Sequence, residues 1–179
     1  MSDQRLILRG TVRAVLGDNI DTDLIYPGRY LNITDREKTA EHLFELAWPG
    51  IRAALRPGDF IVAARNFGCG SSREQAAAAL KFAGAGAVIA AGFARIFFRN
   101  AINLGLPAVV APDAAVLCGV GDQLELDLAN GSIRNLTQDL ILSAASLDPR
   151  AVELLAAGGL IPYLKKKWGG PAGAPVLAG

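Results

Sequence analysis

The residues Asn66-Phe67-Gly68-Cys69-Gly70-Ser71-Ser72-Arg73-Glu74 concentrate the chemistry this chain can do. They follow an apolar run, Phe60-Ile61-Val62-Ala63-Ala64, and precede an alanine-rich segment that reads as helix. A strand feeding a helix through a turn with two glycines delivers backbone N–H groups and small hydroxyls to a helix N-terminus. Unpaired donors and positive partial charge attract an anion there. Arg73 adds a forked cation that matches a carboxylate or phosphate. The stretch therefore reads as the grip on an anionic small molecule. A structural reading stands beside it: Ser72-Arg73-Glu74-Gln75 fits a capping box, and Gly68 and Gly70 serve as turn glycines. The stretch is not a P-loop, because no Gly-Lys-Ser/Thr follows. Nor is it a dinucleotide fingerprint, because Arg73 stands where the third glycine belongs.

Other chemistry-bearing residues give weaker signals. Asp18, Asp21 and Asp23 have the acid spacing of a calcium loop but lack its glycine and distal glutamate, so no metal is expected there. Arg29, after Pro27-Gly28, is either a surface charge or a second anion clamp. His42 is the only histidine; it lies beside an apolar helical stripe and reads as a packing or surface residue. Cys69 could be a nucleophile flanked by glycines, yet without a histidine partner it reads as a small packed residue. Arg95 and Arg99, one helical turn apart, read as solvated, with a site role as the lesser alternative.

To present such a site the chain must first bury a core. At 179 residues, 51% hydrophobic and 20% charged, it is long enough for one domain and too apolar for a disordered tail. A formal net charge of +1, with no basic run longer than Lys165-Lys166-Lys167, argues against nucleic acid or a membrane surface as partner. Met1-Ser2-Asp3-Gln4-Arg5 leads straight into folded-looking sequence, so no secretory leader is expected and a reducing cytoplasm is the default setting. Two distant cysteines and one histidine cannot supply four ligands for zinc or an iron–sulfur cluster, so any metal must come from elsewhere.

Leu6 to Leu16 reads as one or two strands, and Glu37 to Trp48 as an amphipathic helix ended by Pro49-Gly50, with a short helix from Ile51 to Leu55. The chain then alternates: strand Asp59–Ala64, helix Arg73–Ala83, strand Ala87–Ala91, helix Ala94–Leu104, strand Pro107–Val110. Short apolar strands alternating with helices predict a parallel sheet. After Pro112 the pattern becomes antiparallel: Gly121–Leu128 alternates, and Asn130-Gly131 turns it into a return strand, Ser132–Leu136. Asp148-Pro149 opens a helix through Ala157. Residues 1–168 are expected to form one domain, with 169–179 a disordered Gly/Pro-rich tail.

Taken together, Gly17-Asp18-Asn19-Ile20-Asp21-Thr22-Asp23 and Arg65 to Glu74 resemble the small subunit of 3-isopropylmalate dehydratase, the counterpart of the aconitase swivelling domain. Phe93-Ala94-Arg95-Ile96-Phe97-Phe98-Arg99-Asn100-Ala101-Ile102-Asn103-Leu104-Gly105-Leu106-Pro107 is similar to the family's next block. The resemblance spans Leu6 to Leu142. It implies an α/β fold, a three-layer β/β/α swivelling domain with a parallel βαβ core and a late β-hairpin. It also implies a hydro-lyase of leucine biosynthesis split over two chains, in which an absent large subunit carries a [4Fe–4S] cluster acting as Lewis acid. By the same resemblance Ser71 is the catalytic base, Arg73 pairs with a substrate carboxylate, and Asp23 is an active-site aspartate. Ser72, Arg29, Tyr30 and Leu31 would contact substrate, Ser72 otherwise capping the helix. Gln75 departs from the family's usual histidine. Residues after Tyr30-Leu31 help set the substrate in relatives, and Asn32-Ile33-Thr34 match no familiar pattern. Related substrates therefore stay open, homoaconitate, dimethylmalate and citraconate-like acids among them. So do a non-catalytic dicarboxylate-binding domain and a hydrolase using Cys69 and His42.

Overall fold

One long strand, β1 (Ile7–Leu16), carries two kinds of sheet on its two edges. Along one edge it pairs parallel with β2 (Phe60–Ala63), which continues to β3 (Ala87–Ala90) and β4 (Ala108–Val110). Along the other it pairs antiparallel with β5 (Gln123–Asp127), followed by β6 (Ser132–Asn135) and β7 (Leu140–Ser143). The order is β4-β3-β2-β1-β5-β6-β7 in a seven-stranded sheet. Ile7 to Thr11 of β1 serve β5 and Val12 to Leu16 serve β2, with a register shift inside the β2 pairing, between Val12 and Ala14. The computed structural model describes residues 6–168, and the tail expected from Gly169 lies outside them.

The layers follow from alternation along the strands. Every residue of β2 and β3 is buried, as a parallel strand covered on both faces requires. Ile61, Ala63, Val88 and Ala90 pack against helices in one cluster with Ala76, Ala77 and Leu80. Phe60, Val62, Ala87 and Ile89 face the opposite way, against Leu124, Leu126, Ile133 and Leu142 of the antiparallel half. The sheet therefore curls over its own second face and gives three layers: helices, parallel strands and antiparallel strands. Each fully buried large side chain, such as Leu124 or Ile89, contributes about 1.5–3 kcal/mol by leaving water.

The helices are α1 (Thr22–Ile25), α2 (Arg36–Glu41), α3 (Pro49–Ala54), α4 (Glu74–Phe82), α5 (Arg95–Asn103), α6 (Ala114–Leu117), α7 (Pro149–Ala156) and α8 (Leu160–Trp168), with a 3-10 turn at Gly28–Tyr30. Three expectations change. The helix expected through Trp48 stops at Glu41, because the Phe44 N–H bonds Ile25 O at 2.9 Å while Leu43 and Phe44 are drawn fully into the core. Pro49 starts α3 from its first turn instead of ending a helix, the place where its missing N–H costs least. The capping box is absent: Arg73, not Ser72, holds the N-cap position of α4, and no side chain caps it. Strand β7 and helix α8 extend the expected set. Among the described residues no helix is long and apolar enough to cross a membrane.

Candidate active site

The carboxyl ends of β1, β2 and β3 converge, the region where open α/β sheets bind ligands. The loop after β2 is stitched to the loop after β1 by Asn19 N–H to Arg65 O at 2.8 Å, Gly68 N–H to Ile20 O at 2.8 Å and Thr22 N–H to Cys69 O at 2.9 Å. On its other side, Phe67 N–H bonds Gly92 O and Ala94 N–H bonds Phe67 O, each at 2.9 Å, joining it to the loop before α5. Side chains add to the stitching. Arg65 Nη2 meets Asp18 Oδ2 at 2.7 Å, and Asn66 Nδ2 donates to Asn19 Oδ1 at 2.8 Å. Ser71 is thus carried on a loop held from both sides.

Two glycines make this path possible. Gly68 has φ +76, and a Cβ there would collide with the Phe97 ring; Gly70 has φ +84, and a Cβ there would run into the Asp21 carboxylate. Gly68→Ala combines left-handed strain with overpacking against a buried ring. It is expected to destabilise the fold by about 2–4 kcal/mol, read as a lowered urea midpoint with an unchanged slope.

Asp21-Thr22-Asp23 divides three tasks. Asp21 caps α1 by accepting from Asp23 N–H at 2.7 Å. Thr22, only 1% exposed, donates its hydroxyl to Ser71 O at 3.0 Å and so fixes the Ser71 peptide from beneath. Asp23 pairs with Arg73 Nη1 and accepts from Gly28 N–H at 3.0 Å. The Arg73 guanidinium holds the Asp23 carboxyl below its ordinary range, helped by the Gly28 N–H and opposed by partial burial. The acidic segment that resembled a calcium loop is therefore spent on hydrogen bonds. Among the described residues no group of three or more His, Cys, Asp or Glu side chains could hold a metal ion.

Ser71, Ser72 and Arg73 open into a recess of about 260 Å³ whose far wall is Ala94, Arg95, Ile96 and Phe97 from the start of α5. Both serines are exposed, while Arg73 is half-buried beside them. The other expected substrate residues sit differently. Arg29 Nη2 pairs with Glu45 Oε1 at 2.7 Å, and Tyr30 Oη donates to the same oxygen at 3.0 Å. Tyr30 also stacks on His42 with centroids 3.6 Å apart, and His42 Nδ1 meets Glu45 Oε2 at 2.5 Å. Leu31 follows as an exposed residue. None of Arg29, Tyr30 and Leu31 lines the recess, whereas Asp23 reaches it through Arg73. Burial and the Asp21 charge push the Cys69 thiol up, the wrong direction for a nucleophile. Together with the engagement of His42 by Glu45, this removes support from a Cys69–His42 hydrolase.

Thr22 had no role assigned from sequence, and Arg95, read as solvated, is indeed exposed but also lines the recess. Thr22 left a signal, a small hydroxyl between two acids, but its partner is 49 residues away. Arg95 looked solvated because helical spacing reports only its own helix, not the loop facing it.

Residues 3–113 match the family model described as the aconitase C-terminal domain. The chain is 48% identical to the 3-isopropylmalate dehydratase small subunit of Moorella thermoacetica, over 90% of this chain and 97% of that one. It is equally 48% identical to the isopropylmalate/citramalate isomerase small subunit of Methanocaldococcus jannaschii, covering 91% of this chain and 96% of the relative. The same figure holds for the methanogen homoaconitase small subunit of Methanothermobacter thermautotrophicus, over 89% and 92%. A crystal structure of 3-isopropylmalate dehydratase from Methanocaldococcus jannaschii superposes with a TM-score of 0.84 at 42% identity, over 91% of this chain and 96% of that one.

Proposed function

The chain belongs to the aconitase C-terminal domain family, and we propose that it is the small subunit of a 3-isopropylmalate dehydratase, working in leucine biosynthesis in the cytoplasm. The observation that carries this reading is the recess itself. It places a serine pair and an arginine at one rim, on a loop pinned by Thr22 and stitched to both neighbouring loops. The curated relatives span nearly their whole length in this match and are named as small subunits.

The reaction removes water from one hydroxy acid and returns it with the opposite regiochemistry. A proton leaves the carbon alpha to a carboxylate, the hydroxyl leaves the neighbouring carbon, and a double bond forms between them. Ser71, as the alkoxide that the neighbouring Arg73 charge favours, takes that proton as base and becomes the neutral hydroxyl, its short side chain standing on a peptide held by Thr22. Arg73 pairs with the adjacent carboxylate and stabilises the negative charge that spreads onto it as the C–H bond breaks. Asp23 fixes one Nη of Arg73, which sets the plane of the fork and leaves its remaining N–H groups for substrate. The large subunit, with the [4Fe–4S] cluster that the resemblance assigns to it, would polarise the leaving hydroxyl. The described residues of this chain offer no ligand set for such a group.

Identity does not choose the acid, since relatives named for different substrates tie at 48%. The recess wall does favour one: Ile96 is 40% exposed and Phe97 lies beside it, an apolar surface for a branched alkyl group. A third carboxylate would need a further cation, and Arg29 is committed to Glu45. In the complex with its large subunit, kcat/KM for 3-isopropylmalate is expected to exceed that for homoaconitate by about 10-fold or more. A preference for homoaconitate would transfer the assignment to that sister activity.

A further inference from the structure

We propose that Arg95 is a second carboxylate-binding residue of the recess, holding the substrate carboxylate that Arg73 does not and so selecting dicarboxylates over monocarboxylates. The inference deepens the dehydratase reading and rests on it. Arg95 is the first residue of α5, exposed, and lines the same recess as Ser71, Ser72 and Arg73. Its charge is available. Arg9, Arg13, Arg29, Arg65 and Arg73 each face a carboxylate, of Glu125, Asp59, Glu45, Asp18 and Asp23. Among the described residues no hydrogen-bond or ion-pair partner engages Arg95.

Charge counting gives the ligand class. Arg73 and Asp23 cancel on one wall, so Arg73 alone leaves the recess near neutral toward an ion with two negative charges. Arg95, from the second segment that lines the recess, supplies the missing cation. No acid in the first turn of α5 competes for it, whereas α4 has Glu74 in its first turn. Ile96 follows directly in the lining, so the alkyl branch of a dicarboxylate would rest on carbon while the two carboxylates meet the two forks. Arg99, one turn further along α5, is exposed but does not line the recess, and it provides the matched control.

The test uses the two-subunit complex. Arg95→Ala is expected to raise KM for 3-isopropylmalate about 10- to 100-fold with kcat changed less than about threefold, the pattern of lost uniform binding. The inhibitor 2-(hydroxymethyl)-3-methylbutanoate, which keeps the hydroxyl, the branched chain and the carboxylate on the carbon that would lose its proton but lacks the second carboxylate, still finds Arg73. Its Ki should shift less than about threefold, and Arg99→Ala should leave every constant at its wild-type value. An unchanged KM in Arg95→Ala overturns the proposal. So does a variant that binds the large subunit more weakly yet has a normal KM once saturated with it, because Arg95 would then be an interface residue. Calorimetric titration of 3-isopropylmalate into both complexes reads the same ratio without turnover. An inactive wild-type complex would thus sink the dehydratase function while the Arg95 comparison still returned its own answer.

Discussion

Ser71→Ala is expected to lower kcat by about 10²- to 10⁴-fold while KM stays within about threefold of wild type, the range that removing a positioned base gives. The structure isolates the hydroxyl from the scaffold. Ser71 is exposed, and the bond that positions it, from Thr22 Oγ1, goes to its backbone carbonyl and survives the substitution. A loss of activity in Ser71→Ala therefore reports chemistry and not a displaced loop. Thr22→Val provides the converse: it keeps the Ser71 hydroxyl and removes the support beneath it. Ser72 is the internal comparison. It does not cap α4, so Ser72→Ala should not destabilise the protein, and any fall in turnover would mark a substrate contact. Near-normal kcat in Ser71→Ala would end its assignment as base.

Arg73→Lys is the second large effect, expected to reduce kcat/KM by about 10- to 100-fold even though the charge is kept. The guanidinium serves two directions at once. One Nη is tied to Asp23 Oδ1, whose other donor is the Gly28 N–H, and the rest of the fork faces the recess. A lysine ammonium reaches one partner or the other, without a plane. The side chain is only 18% exposed against 52% for Asp23, so the arginine is the anchored member of the pair. The pH dependence follows from the direction of the Asp23 shift. A carboxyl held below its ordinary value of 3.8 by Arg73 keeps the pair intact above that pH, and the contribution is lost only as pH falls further, through the depressed value. An acid limb in the rate profile near neutrality would therefore arise from another group.

The parallel core was legible because β2 and β3 are apolar at every position and separated by helical stretches, so burial on two faces was written into composition. The late hairpin was legible from Asn130-Gly131, and Gly131 does take φ +66. Beyond the hairpin, β7 (Leu-Ile-Leu-Ser) is too short to show a period of two. Helix α8 begins right after Gly158-Gly159 and carries Pro162 in its first turn, signals that locally read as a stop. The recess rim, Ser71 to Arg73, could be read as a site from glycine and hydroxyl spacing alone. Its remaining lining could not, because Arg95 and Ile96 reach it only through the pairing of β3 beside β2, and pairings of this range leave no periodicity in the chain. The link of Arg29 and Tyr30 to Glu45 was hidden for the same reason.

On the proposed function, this chain contributes a base and a carboxylate grip to an active site completed by a second chain. The decisive assay is isopropylmalate turnover by this chain mixed anaerobically with its cluster-loaded large subunit, each chain alone serving as control. Isomerisation is expected in the mixture only, and is abolished when Ser71→Ala replaces the wild type in the same complex. Turnover by either chain alone, or a formed complex with an intact cluster that leaves the acid unchanged, would contradict it.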